Sequence, residues 1–138
     1  MSKKVAMDKA TERAMKKLGE LIAECRGERS LRKIAEPSGI AASQLQSFER
    51  GTLSPVADVY PRLLDTLQPD ERQRTGMDRL YMTIRKTPPP DVCELLINNP
   101  NLIAVLRAMG DAKLSKKEMS SILESIAQMK RKGETDNG

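Results

Sequence analysis

The stretch from Ser30 to Gly51, SLRKIAEPSGIAASQLQSFERG, constrains the fold of this chain more than any other. Ser30 is a good helix N-cap, and the helix it opens must end at Glu36, because Pro37 lacks an amide donor and disfavours helical geometry in the residue before it. After Gly39, the residues Ile40, Leu45 and Phe48 resume a helical apolar period that runs to Arg50 and is stopped by Gly51. Two helices joined by so short a turn must cross closely. Ala35 supplies the small residue at the crossing, Gly39 the turn tolerant of left-handed geometry, and Ile34, Ile40, Leu45 and Phe48 the apolar clamp.

The rest of the chain also reads as helix. Ala10, Ala14, Leu18, Leu21, Ile22 and Cys25 recur at spacings of three and four and predict an amphipathic helix from Ala6 to near Gly27. Lys3, Lys4 and Lys9 at its start are expected to form a solvated arm rather than a basic one that grips a partner. Val59, Leu63, Leu64 and Leu67 mark a segment opened by Pro55 and interrupted by Pro61, which predicts two short helices. Met77, Leu80, Tyr81 and Ile84 mark a further helix from about Asp70.

Thr87 to Asp91, with Pro88, Pro89 and Pro90 in succession, predicts a stiff extended linker and the main domain boundary. Beyond it, Asp91 with Glu94 and Ser115 with Glu118 have capping-box spacing, and Asn99 followed by Pro100 is another helix start. Three helices are expected, with apolar stripes at Val92, Leu95 and Leu96; at Leu102, Ile103, Val105, Leu106 and Met109; and at Met119, Ile122, Leu123, Ile126 and Met129. The stretch from Lys130 is polar. No strand and no internal repeat is expected, so the fold class is all-α. The chain divides into an N-terminal helix-turn-helix domain (1–67), a connecting helix and Pro-rich linker (68–90), a helical dimerisation or partner-binding segment (91–132) and a disordered tail (133–138).

Composition narrows the chemistry. Histidine is absent, which removes Cys-His and Ser-His catalysis and zinc fingers together, and no Gly-rich phosphate loop is present, so no enzyme, cofactor or metal site is expected. Phe48, Tyr60 and Tyr81 are the only aromatics, too few for the stacking platforms of single-strand or RNA binders, so a nucleic-acid partner would be duplex. Cys25 and Cys93 fall at apolar positions without a paired motif and read as reduced core thiols. No run of eighteen apolar residues and no basic leader before an apolar stretch occurs, which points to a cytoplasmic protein. Net charge is +3 over residues 1–67, +2 over 68–90 and zero over 91–138, so the basic excess stops at the prolines. Such an imbalance suits an N-terminal part that meets phosphates and a C-terminal part that meets protein, though a charge of +3 on a solvated surface is also ordinary.

With its apolar face in the core, the second helix of the opening stretch is left with Ala42, Ser43, Gln44, Gln46, Ser47 and Arg50. The face could simply meet solvent. It also suits a major groove, where Gln pairs with adenine, Ser reads several base edges and an Ala methyl meets the thymine methyl. Over about residues 18–67 the sequence resembles the lambda-repressor-like, XRE-type helix-turn-helix family, whose run is matched by Ala35, Gly39, Ile40, Leu45, Phe48, Glu49, Arg50 and Gly51, followed by Pro55. The resemblance implies a five-helix DNA-binding domain with Ala42 to Arg50 as recognition helix. It implies Ala42, Ser43, Gln44, Gln46 and Ser47 at bases, Arg50 and Thr52 at phosphate, and Glu49 bonded within the domain. Leu31 stands where the family often has a phosphate-binding Gln, so Arg29, Arg32 or Lys33 would supply that contact. Pro37 also departs from the family pattern.

The run from Asn101 to Ile126, above all Leu114 to Glu118, resembles the dimerisation element of SinR-type repressors and SinI antirepressors. Dimerisation would then rest on Leu102, Ile103, Val105, Leu106, Met109, Met119, Ile122, Leu123 and Ile126. The same helices could instead fold back on the N-terminal domain. The expected function is a sequence-specific, dimeric regulator of transcription that reads an inverted repeat in a double-stranded DNA operator, more readily a repressor. The alternative is an antitoxin- or antirepressor-type protein that binds a protein antagonist through its C-terminal helices and uses DNA only for autoregulation.

Overall fold

The structure is a computed structural model that describes residues 7–136, and within them it is all-helical, without strands. The order is α1 (Lys9–Arg26), α2 (Leu31–Ala35), α3 (Ala42–Arg50), α4 (Val59–Leu67), α5 (Glu71–Arg85), α6 (Pro90–Asn98), α7 (Asn101–Ala112) and α8 (Lys116–Asp136). Two compact units divide between Leu95 and Leu96. Lys3 and Lys4, read as part of a solvated arm, lie outside the described residues.

In the first unit α1 is the central element. Asp8 caps its start by accepting from the Thr11 amide at 2.6 Å, and Gly27 ends it. Its buried face, Leu18 and Ile22, meets Ile34, Leu45, Phe48, Leu63, Leu67, Met77 and Tyr81 in one core, and each such side chain contributes about 1.5–3 kcal/mol when fully buried. α5 runs antiparallel to α1: Arg72 and Gln73 donate to Glu24, and Leu21 meets Gly76 one turn further on. The core therefore includes α5, which the sequence places in a connecting segment. An Asp70–Gln73 capping box starts α5 directly after α4, and its Met77 and Tyr81 fill the face of α1 that the shorter helices leave open.

Three proline readings change. Pro61 does not split its segment, because α4 begins at Val59, and a proline in the first turn gives up an amide that has no intrahelical acceptor. Pro90 and Asp91 are not linker but the first residues of α6, so Asp91 is no N-cap; its carboxylate lies 3.5 Å from Arg74 instead. Pro89 is buried, and the unit boundary falls inside α6 rather than at the prolines. At the other end, residues 133–136 continue α8 rather than forming a disordered tail.

The Ser115–Glu118 capping box forms reciprocally, at 3.0 and 3.1 Å, and opens α8. None of the described side chains of α7 and α8 is buried. The two thiols are half-buried rather than sealed in the core: Cys25 packs against its edge, where burial raises its pKa, and the Cys93 thiol donates to the Pro88 carbonyl.

Tyr60 braces the first unit. It stacks on Tyr81 with ring centroids 4.3 Å apart and donates to Asp78 at 2.7 Å. Burial, and then the hydrogen bond to Asp78, push its hydroxyl far above the usual 10.0. The folded state thus keeps a proton that the unfolded chain loses, so this contribution is full below about pH 10 and lost as the pH rises further. In urea titrations, stability is expected to fall above about pH 10. Tyr60→Phe should flatten that alkaline limb; an unchanged limb would place the sensitivity elsewhere.

Candidate nucleic-acid interface

The turn between α2 and α3 satisfies its own backbone. The Ala35 carbonyl accepts from the amides of Ser38 and Ile40, both at 3.1 Å, and the buried Ser38 hydroxyl donates to the Ile34 carbonyl at 2.7 Å. Gly39 has φ 73°, left-handed geometry that a side chain would resist. Pro37 sits inside this turn, after a helix that ends at Ala35. Ile34 and Ala35 on α2 and Leu45 and Phe48 on α3 are buried together, which fixes the crossing.

Two further contacts hold α3 on α1. A Cβ on Gly19 would lie 2.5 Å from the Glu49 carbonyl oxygen and closer still to that of Phe48, so the end of α3 rests directly on the α1 backbone. Glu49 then accepts from Arg26 in a bidentate pair, at 2.6 and 2.8 Å, with the carboxylate side chain only 12% exposed. The bond to Glu49 raises the Arg26 pKa. Glu49 is thus bonded within the unit. The close approach at Gly19 was missed in the sequence, although a glycine inside a strong helical period is itself a signal of tight packing.

The exposed centre of α3 is a stripe of Ser43, Gln46, Ser47 and Arg50, spaced i, i+3, i+4 and i+7, with Ser47 half-buried and the others open. The Ser47 hydroxyl donates back to the Ser43 carbonyl at 3.1 Å and keeps its lone pairs for an acceptor role. Ala42 and Gln44 flank this stripe rather than joining it. Ala42 packs against the core, and Gln44 lines a groove with Met15, Phe48, Thr52 and Leu53. No side chain caps the start of α3, and among the described residues Arg50 has no ion-pair partner.

The expected phosphate contacts separate. Arg29 does not face outward: its guanidinium donates to the carbonyls of Cys25 at 2.7 Å, Leu67 at 3.0 Å and Thr66 at 3.5 Å, while its Nε donates to that of Arg26. It joins the C-terminal ends of α1 and α4, where unpaired carbonyls and helix dipoles favour a cation. Arg32 and Lys33 remain exposed on α2, Arg32 in a solvent-screened pair with Glu36. Thr52 donates its amide and its hydroxyl to the Ser47 carbonyl, closing the end of α3. Arg85 holds the following loop through the carbonyls of Ser54 and Pro55.

The expected dimerisation residues lie on α7 and α8 in the second unit. Leu102, Met109 and Ile122 are half-buried, and Ile103, Val105, Leu106, Met119, Leu123 and Ile126 are exposed, with Leu123 at 68%. Among the described residues no acidic, His or Cys cluster could hold a metal, and no helix is long and apolar enough to cross a membrane. No protein-family model, curated protein or solved structure matches the chain.

Proposed function

We propose that the chain is a sequence-specific double-stranded DNA-binding regulator of transcription, a repressor acting as a homodimer, built on a lambda-repressor-like N-terminal domain. The observation that carries this reading is the exposed stripe of α3. Its residues are short or planar hydrogen-bonding groups with one cation, on a helix held rigidly by Gly19, Glu49 and the core. Gln46 and Ser43 are assigned to base edges, with Ser47 and Gln44 beside them. Arg50, Lys33 and Arg32 are assigned to phosphates, and the geometry of Arg29 removes it from that set. A single unit of modest basic excess binds weakly, and two-fold pairing supplies affinity and reads an inverted repeat.

Duplexes selected from a random pool should contain an inverted repeat. Gln46→Ala should then lower specific affinity by about 1–3 kcal/mol and relax one position in each half-site. Arg50→Ala should weaken binding across all sequences and reduce its salt dependence. Undiminished specific binding by Gln46→Ala, with no position relaxed, would remove α3 from the base-reading role. The exposed apolar side chains of α7 and α8 favour one second reading, an antitoxin- or antirepressor-type protein that engages a different protein there.

A further inference from the structure

α1 and α5 flank a shallow, open cleft of about 290 Å³ on a side of α1 other than the one that carries α3. Arg13, Lys17 and Arg79 stand around it, and no carboxylate lines it. The other arginines of this part of the chain are mostly engaged: Arg26, Arg32, Arg62, Arg72 and Arg74 pair with carboxylates, and Arg29 and Arg85 donate to carbonyls. Arg13, Lys17 and Arg79 pair with no carboxylate among the described residues; only the Arg13 Nε is used, on the Lys9 carbonyl at 3.4 Å. Three like charges around one cleft repel one another unless an anion joins them. The short side chains of Ala10 and Ala14 leave the space that the cations surround.

We infer that this cleft binds a small phosphorylated ligand bearing at least two negative charges, with Arg13, Lys17 and Arg79 on its phosphate oxygens. Two arginine forks and an ammonium match the charge and the hydrogen-bonding capacity of a diphosphate. The volume admits a diphosphate and part of an attached organic group, set against Leu80. The inference is independent of whether α3 reads DNA, because α3 meets α1 at Gly19 and none of its residues lines the cleft.

Titration calorimetry of the full chain with inorganic pyrophosphate at low ionic strength tests it. Saturable binding of one pyrophosphate per chain is expected. It should weaken about tenfold or more when Arg13, Lys17 and Arg79 are all replaced by Gln, and by a smaller factor in Arg79→Gln alone. A control with the same loss of charge, Lys113→Gln, Lys116→Gln and Lys117→Gln together, should bind as the parent does, with unchanged circular dichroism in every variant. Absence of saturable binding, or an equal loss in the control, would overturn the site. So would an unbound pyrophosphate together with a loss of unrelated duplex DNA binding in the cleft variant, which would reassign these cations to a DNA backbone.

Discussion

Gly19→Ala should destabilise the first unit by about 3 kcal/mol, although alanine is the better helix former by roughly 1 kcal/mol. The added methyl would meet the carbonyl oxygens of Phe48 and Glu49, which are backbone and cannot rotate away. To restore ordinary contact, α3 must retreat from α1 by roughly 1 Å, which loosens Leu45 and Phe48 in a core packed to crystal-like density. The Arg26–Glu49 pair stretches with it, leaving a poorly solvated carboxylate less well matched. For a unit of this size the expected fall in Tm is more than about 10 °C, read by near-ultraviolet dichroism, because Tyr60 and Tyr81 both report on this unit. Gly110→Ala is the matched control. A Cβ there meets nothing within 4 Å, so α7 should gain up to about 1 kcal/mol of helix stability. If both substitutions stabilise, the α1–α3 contact is looser than described.

The same contact shows where sequence reasoning reaches its limit. Ile34, Ile40, Leu45 and Phe48 were legible as a clamp, and Ala35 as the small residue at the crossing, because period and turn chemistry are local properties, and the stop at Gly51 followed from its place after the last apolar residue. Gly19 was not, since its partner carbonyls lie about thirty residues away and nothing local marks them. Arg29 misled for the same reason: a charge beside a helix start looks available until Leu67, at the end of another helix, occupies it. Pro61 misled because its cost depends on its distance from a helix start that composition left uncertain. On α3 the chemistry of the exposed residues was legible, but the division between the central stripe and the flanking Ala42 and Gln44 needed the α1 packing angle.

If the chain pairs through α7 and α8 as proposed, placing charges on α8 should convert it from dimer to monomer. Leu123 and Ile126 are 68% and 55% exposed in the single chain, so Leu123→Lys with Ile126→Lys removes little burial from the monomer and leaves its helicity intact. In a two-fold dimer each substitution acts twice. Each buried Leu or Ile contributes about 1.5–3 kcal/mol, so four lost side chains remove about 6–12 kcal/mol, comparable to the roughly 8 kcal/mol that holds a micromolar dimer, before the cost of burying lysines is added. Light scattering should then report a mass of 15.4 kDa, against twice that for the parent chain. Affinity for an inverted repeat should fall by about 10²–10⁴, the advantage of two linked readers, while a single half-site is bound as before. A variant that remains dimeric would move self-association to another surface. A parent chain of one-chain mass that binds an isolated half-site as tightly as the repeat would leave α7 and α8 to a different protein, and with them the antirepressor-type reading.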